Sequence, residues 1–141
     1  MQDSFVYAII GKPGSGKTAL YENFLTSEEF YLDKFDKVLF LSPTYNEKLQ
    51  FDDDNWNQQL DIEWVMEKIA DAEGGNILVV IDDLIGKIHD NRNEQGFLSL
   101  FYNRRHIKEN GMISLIIVTQ KYILIPTNLR NILTGLFIFK S

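Results

Sequence analysis

The stretch Gly11-Lys12-Pro13-Gly14-Ser15-Gly16-Lys17-Thr18 decides how the rest of this sequence is read. An apolar run, Phe5-Val6-Tyr7-Ala8-Ile9-Ile10, leads into it. A segment with helical spacing follows, with Leu20, Phe24 and Leu25 on one face. Strand, glycine-rich loop and helix in that order are the context a phosphate-binding loop requires. The glycines let the backbone curl with its N–H groups turned inward, and the helix N-terminus adds free donors and the positive end of its dipole. In such a loop Lys17 reaches the β- and γ-phosphates of a nucleoside triphosphate, and the Thr18 hydroxyl ligates Mg²⁺. The expected nucleotide-binding residues are Gly11, Lys12, Pro13, Gly14, Ser15, Gly16, Lys17, Thr18 and Ala19.

Working outward, four more short apolar runs resemble Phe5–Ile10: Val38–Leu41, Ile77–Ile81, Ile113–Val118 and Leu136–Phe139. They are nearly continuous in Val, Ile, Leu and Phe, the pattern of parallel strands covered on both faces. Segments of helical period lie between them. Ile62, Val65, Met66, Ile69 and Ala70 form a stripe that Asp61 caps and Gly74-Gly75 ends. Phe97, Leu100, Phe101 and Arg104 form another, running toward Ile107 and stopping near Gly111. Alternating strands and helices imply an α/β fold with a parallel sheet, as a single domain over residues 1–141. The least regular stretches, Ser42–Asn57 and Leu84–Asn93, follow strand ends, where loops of such sheets meet ligands.

The third run ends in Ile81-Asp82-Asp83, a Walker B pattern that puts two carboxylates at the carboxyl end of a buried strand. Asp82 is the expected Mg²⁺ partner, directly or through water. Asp83 is expected to orient and deprotonate the attacking water, although a turn or helix cap is its structural alternative. Glutamate is the usual residue there in hydrolytic P-loop ATPases, and aspartate is one methylene shorter. The fourth run ends in Val118-Thr119-Gln120. If this strand lies between the two Walker strands, Gln120 projects toward the γ-phosphate, to sense it or to hold the lytic water. Otherwise it is a strand-end amide that satisfies backbone groups. No Asn-Lys-x-Asp guanine-reading motif occurs, so ATP is the expected nucleotide.

Bulk composition limits the remaining choices. The chain of 141 residues is 45% hydrophobic and 24% charged, as expected of a globular domain with one core. It has no cysteine, which excludes disulfides and thiolate metal sites and fits a reducing, intracellular compartment. Neither a signal peptide nor a membrane span is expected, because the first apolar run is short and lacks a basic leader. A net charge of −6 argues against a generally basic nucleic-acid surface. Arg104, Arg105, His106 and Lys108 form the one dense basic cluster, and Asp52-Asp53-Asp54 reads as a solvated loop.

Ring ATPases commonly take an arginine from a neighbouring subunit to neutralise charge in the transition state. Arg105, with Arg104 before it, and Arg130 in Ile125-Pro126-Thr127-Asn128-Leu129-Arg130-Asn131 lie downstream of the Walker B strand. Each also has an ordinary reading as a surface side chain.

Taken in order, the phosphate loop, Val-Val-Ile-Asp-Asp-Leu, Arg-Arg-His, Val-Thr-Gln and Ile-Pro-x-x-Leu-Arg-Asn resemble the genome-packaging ATPases of large double-stranded DNA viruses, within the wider FtsK/HerA-type group. The resemblance runs from about Phe5 to Phe139. It implies a RecA-like P-loop core, with a five-stranded parallel sheet of order 5-1-4-3-2 flanked by helices. It also implies a homo-oligomeric ring with the ATP site at the subunit boundary, acting on double-stranded DNA and a capsid, in host cytoplasm, virus factory or virion. By the same resemblance Gln120 is the sensor, and Arg105 or Arg130 is the finger acting in trans, with Arg105 favoured. The acidic balance is unusual for a DNA motor; Lys121, Tyr122 and the Arg104–Lys108 cluster are the places where DNA contacts can be sought. The rival expectations are a P-loop ATPase of another branch, working on protein or RNA, and an assembly component that binds nucleotide but hydrolyses it poorly.

Overall fold

A computed structural model describes residues 5–11, 35–43, 53–71, 75–85, 91–102 and 113–138. Within them runs a parallel sheet of six strands: β1 (Val6–Ile10), β2 (Lys37–Leu41), β3 (Trp56–Asn57), β4 (Ile77–Asp82), β5 (Ile113–Thr119) and β6 (Gly135–Ile138). Their order across the sheet is β3-β2-β4-β5-β1-β6. Six strands stand where five were expected: without β3 they run β6-β1-β5-β4-β2, which is the expected order 5-1-4-3-2, and one strand is added at the edge beyond β2. The addition is the two-residue edge strand β3, inside a stretch read as irregular. It forms because Phe40 and Leu41 of β2 pair with Trp56 and Asn57. The Trp56 indole N–H also donates to the Ser42 carbonyl at 3.1 Å.

Every residue of β5 is buried, and β4 is buried up to Asp82, as continuous Val/Ile/Leu strands at the centre of a parallel sheet should be. Strand alternation splits the side chains into two clusters. Ala8, Leu39, Val79, Leu115 and their neighbours face one way, and Ile9, Phe40, Val80 and Val118 face the other. The first face carries helix α1 (Ile62–Asp71) and helix α2 (Asn91–Tyr102). Asp61 caps α1 as expected: its Oδ1 accepts the N–H groups of Glu63 at 3.0 Å and Trp64 at 3.3 Å. The apolar stripe of α1 is narrower than expected, since Ile62, Val65 and Ile69 are buried while Met66 and Ala70 are exposed. On α2, Phe97 and Phe101 are fully buried, with rings stacked 6.0 Å apart.

The crossover from β5 to β6 is not the full helix that strict alternation implied. It is a 3-10 turn (Tyr122–Leu124) followed by a single helical turn, α3 (Thr127–Arg130), anchored in the first core by Ile125 and Leu129. Thr134 then fixes the start of β6, accepting the Val6 N–H at its hydroxyl (2.9 Å) and donating its own N–H to the Val6 carbonyl (2.7 Å). Gly135 follows because the Tyr7 ring lies over it; a Cβ there would sit 2.7 Å from Tyr7 Cδ1. Strand β6 departs from expectation in one respect. Its apolar run was read as covered on both faces, yet Leu136, Phe137 and Ile138 are all exposed. A terminal strand has a neighbour on one side only.

Candidate functional site

Strand β5 lies between β1 and β4, and this order builds the site. Register brings the three carboxyl ends level: Ile10 pairs with Thr119, and Asp82 pairs with Val118. Beyond those pairs the backbone continues the ladder on both sides of β5. The Gly11 N–H donates to the Thr119 carbonyl at 3.1 Å, and the Asp83 N–H to the Val118 carbonyl at 2.9 Å. The first residue of the glycine-rich loop and the Asp82-Asp83 pair therefore flank Gln120, separated by two strand spacings, or about 10 Å. Thr119 is buried beneath this edge, Asp82 is half-buried, and Asp83 and Gln120 are exposed. One edge thus gathers two carboxylates, a primary amide and the start of a phosphate-loop sequence.

Asp83 reaches this position through a left-handed backbone, with φ of 59°. Among the described residues it is the one non-glycine with positive φ. Leu84 and Ile85 explain the turn. Both are buried in the first core cluster directly after the strand, so the chain must leave the sheet sharply at Asp83. Aspartate tolerates this conformation better than most residues. A turn at Asp83 was the sequence's alternative to a chemical role; its left-handed geometry was not legible, because it is imposed by where Leu84 and Ile85 pack.

Arg130 is engaged elsewhere. Its Nε donates to the Ile125 carbonyl at 2.9 Å, its Nη2 donates to the Thr127 hydroxyl at 2.9 Å, and its guanidinium lies 5.1 Å from the centre of the Tyr122 ring. These contacts brace the β5–β6 crossover from within. Of the expected site residues, Gly11, Asp82, Asp83 and Gln120 come together, and Arg130 serves the adjoining crossover. Lys12, Pro13, Gly14, Ser15, Gly16, Lys17, Thr18, Ala19 and Arg105 lie outside the described residues.

The donor set at this edge suits a hard divalent cation. Asp82 and Asp83 supply carboxylate oxygens, the hard donors that such cations accept. No group of three or more metal-ligating side chains occurs among the described residues, so nothing there competes as an all-protein metal site. No described helix is long and apolar enough to cross a membrane, which does not bear on β-barrels.

No protein-family model matches the chain, and no curated protein matches it significantly. Solved structures do match. The N-terminal domain of zonular occludens toxin from Neisseria meningitidis is similar over 99% of this chain and 78% of its own, with a TM-score of 0.54 and 20% identity. At that identity the likeness shows a shared fold and nothing finer. It lends no support to a relation with genome-packaging ATPases.

Proposed function

We propose that the chain is a Mg²⁺-dependent ATPase whose active site is the carboxyl edge shared by β1, β5 and β4. The single observation that carries this reading is the position of β5, which sets Gln120 between Gly11 and the Asp82-Asp83 pair. A phosphate loop alone holds a nucleotide; a hydrolase also needs groups for water on the far side of the γ-phosphate. In this reading the Gly11–Thr18 backbone and Lys17 hold the phosphates, and Thr18 and Asp82 hold Mg²⁺. The metal supplies charge neutralisation on the phosphate oxygens. Asp83 takes a proton from the attacking water, whose oxygen bonds to the γ-phosphorus as the bond to ADP breaks. Gln120 orients that water or senses the γ-phosphate. Arg105 of a neighbouring subunit completes the site in trans. It is preferred to Arg130, whose guanidinium is already held by Ile125, Thr127 and Tyr122.

The finer reading is a motor that moves double-stranded DNA during virion assembly, with capsid proteins as partners. Its support is the ordered series of sequence motifs alone. Steady-state ATP turnover with and without double-stranded DNA tests both levels. Turnover stimulated by DNA supports the motor, and turnover indifferent to DNA leaves the ATPase but removes the motor. Nucleotide binding without turnover overturns the hydrolytic reading in favour of a nucleotide-binding assembly component. Mixing Arg105→Ala with Lys17→Ala subunits tests the trans arginine: partial recovery of turnover is expected, and none counts against it.

A further inference from the structure

Three polar side chains are buried among the described residues: Ser42, Ser114 and Thr119. Ser114 lies at the amino end of β5, where its hydroxyl accepts the Phe5 N–H at 3.2 Å. Thr119 ends β5, with its carbonyl bonded to the Gly11 N–H. Ser42 follows directly on β2, at the same carboxyl edge but on the other side of the Walker B strand. It is 6% exposed. A buried hydroxyl costs free energy unless it is hydrogen-bonded, and alanine or valine would pack there without that requirement.

Register places Ser42 beside Asp82. Strands β2 and β4 pair from Lys37 with Ile77 through Leu41 with Ile81, so the next residues, Ser42 and Asp82, are level. Level residues on neighbouring strands are about 4.8 Å apart. Side chains alternate along each strand. Leu39 and Leu41 belong to the cluster that carries α1 and α2, whereas Val38 and Phe40 belong to the opposite one. Ser42 therefore falls on the Phe40 face, and Asp82 falls on the Val80 face, which is the same face. A hydroxyl and a carboxylate thus leave one side of the sheet as neighbours, at a spacing that ordinary rotamers bridge. Three local devices hold Ser42 in place. Its N–H donates to the Asn57 carbonyl at 3.0 Å, and its carbonyl accepts the Trp56 indole N–H at 3.1 Å. Pro43 follows, and a residue before proline is kept in extended geometry, which carries the strand alternation through Ser42. Both residues of the short strand β3 therefore bind the Ser42 backbone.

We infer that in the metal-bound site the Ser42 hydroxyl donates to the Asp82 carboxylate and so orients the oxygen that meets Mg²⁺. One carboxylate oxygen accepts the hydroxyl, and the other is left for the cation. Ser42 is a positioning residue: it acts on the metal through Asp82 and touches neither metal nor phosphate. Partners in this outer position fix the ligand's orientation, and their loss typically lowers metal affinity about 10- to 100-fold. The inference rests on the Mg²⁺ site proposed above, and it adds β2 and β3 to the strands that build that site.

Mn²⁺ is the probe, a cation that takes oxygen ligands as Mg²⁺ does and is visible by electron paramagnetic resonance. It is titrated into the full chain saturated with a non-hydrolysable ATP analogue. Ser42→Ala should bind Mn²⁺ about tenfold or more weakly than the unchanged protein, while binding the analogue equally well in EDTA. Ser42→Thr, which keeps the hydroxyl, should hold Mn²⁺ nearly as the unchanged protein does. The Mg²⁺ concentration for half-maximal ATP turnover should rise in Ser42→Ala by a similar factor. Unaltered Mn²⁺ affinity in Ser42→Ala overturns the inference. So does equal loss in the Ala and Thr variants, or loss of the analogue in EDTA, because either marks packing rather than the hydroxyl. If Ser42→Ala does not fold by circular dichroism, Trp56→Phe takes its place. That change removes the indole bond to the Ser42 carbonyl and should weaken Mn²⁺ binding in the same direction; no loss overturns the inference. An unchanged chain that binds neither the analogue nor Mn²⁺ is the separate failure of the nucleotide reading, and this inference falls with it.

Discussion

Asp83 offers a perturbation in which backbone geometry and chemistry separate cleanly. Its φ of 59° costs an ordinary L-residue about 1–2 kcal/mol, and less for Asp or Asn. Asp83→Ala removes the side chain that tolerates this region and keeps the Cβ that resents it, so a loss of about 1 kcal/mol is expected. Asp83→Gly removes the Cβ clash but frees the unfolded chain by about 0.5–1 kcal/mol, so the two effects nearly cancel. Asp83→Asn keeps the backbone preference and should lie within about 0.5 kcal/mol of the unchanged protein. In a domain of this size the Ala variant should melt roughly 3–4 °C below the Gly variant, which lacks the same side-chain atoms. Urea denaturation followed by circular dichroism measures the differences. All three variants keep the Asp83 N–H donation to Val118, so that bond does not enter the comparison. On the chemical side, Asp83→Asn should leave ATP binding nearly intact and lower turnover by about 100-fold or more. Equal destabilisation by Gly and Ala would refute the backbone argument. Retained turnover in Asp83→Asn would assign proton removal to another group.

Arg130→Ala removes two hydrogen bonds from a charged donor and a contact with the Tyr122 ring, so it should destabilise by about 1–2 kcal/mol in urea titration. Lost turnover at unchanged stability would instead mark Arg130 as a group acting on the phosphates. Phe101→Ala empties a fully buried site on α2 and should cost about 3–5 kcal/mol, measured in the same way. A loss below about 1 kcal/mol would mean that α2 does not pack as described. Gly96→Ala brings a Cβ to 2.7 Å from Ile62 Cγ1 where α2 meets α1. Despite a gain of about 1 kcal/mol in helix propensity, it should be destabilising overall.

Much of this architecture is legible in the sequence because central parallel strands have an unmistakable signature. Ile77–Ile81 and Ile113–Val118 could hardly be exposed, and β5 does lie between β1 and β4. Asp61 was legible for a different reason: its bonds to Glu63 and Trp64 are local, made within three residues. Tertiary features were not legible. Leu136–Phe139 has the same composition as the buried runs, and only the sheet order reveals that β6 is an edge. Strand β3 is two residues long, too short for any periodicity, and depends on pairing with β2. The arginine of Ile-Pro-x-x-Leu-Arg-Asn looked free for a neighbour's phosphates, but the following fold turns it back on Ile125 and Thr127. The residues that gather at the carboxyl edge were legible as types, and their meeting depended on the strand order.

The account stands most directly on one comparison: Mg²⁺-dependent ATP turnover by the unchanged chain and by Lys17→Ala. The unchanged protein is expected to release phosphate from ATP, and loss of the lysine that holds the β- and γ-phosphates should abolish that release while the fold persists by circular dichroism. Equal turnover in the two proteins, or no nucleotide binding by the unchanged chain, would contradict an active site at the edge where β1, β5 and β4 end.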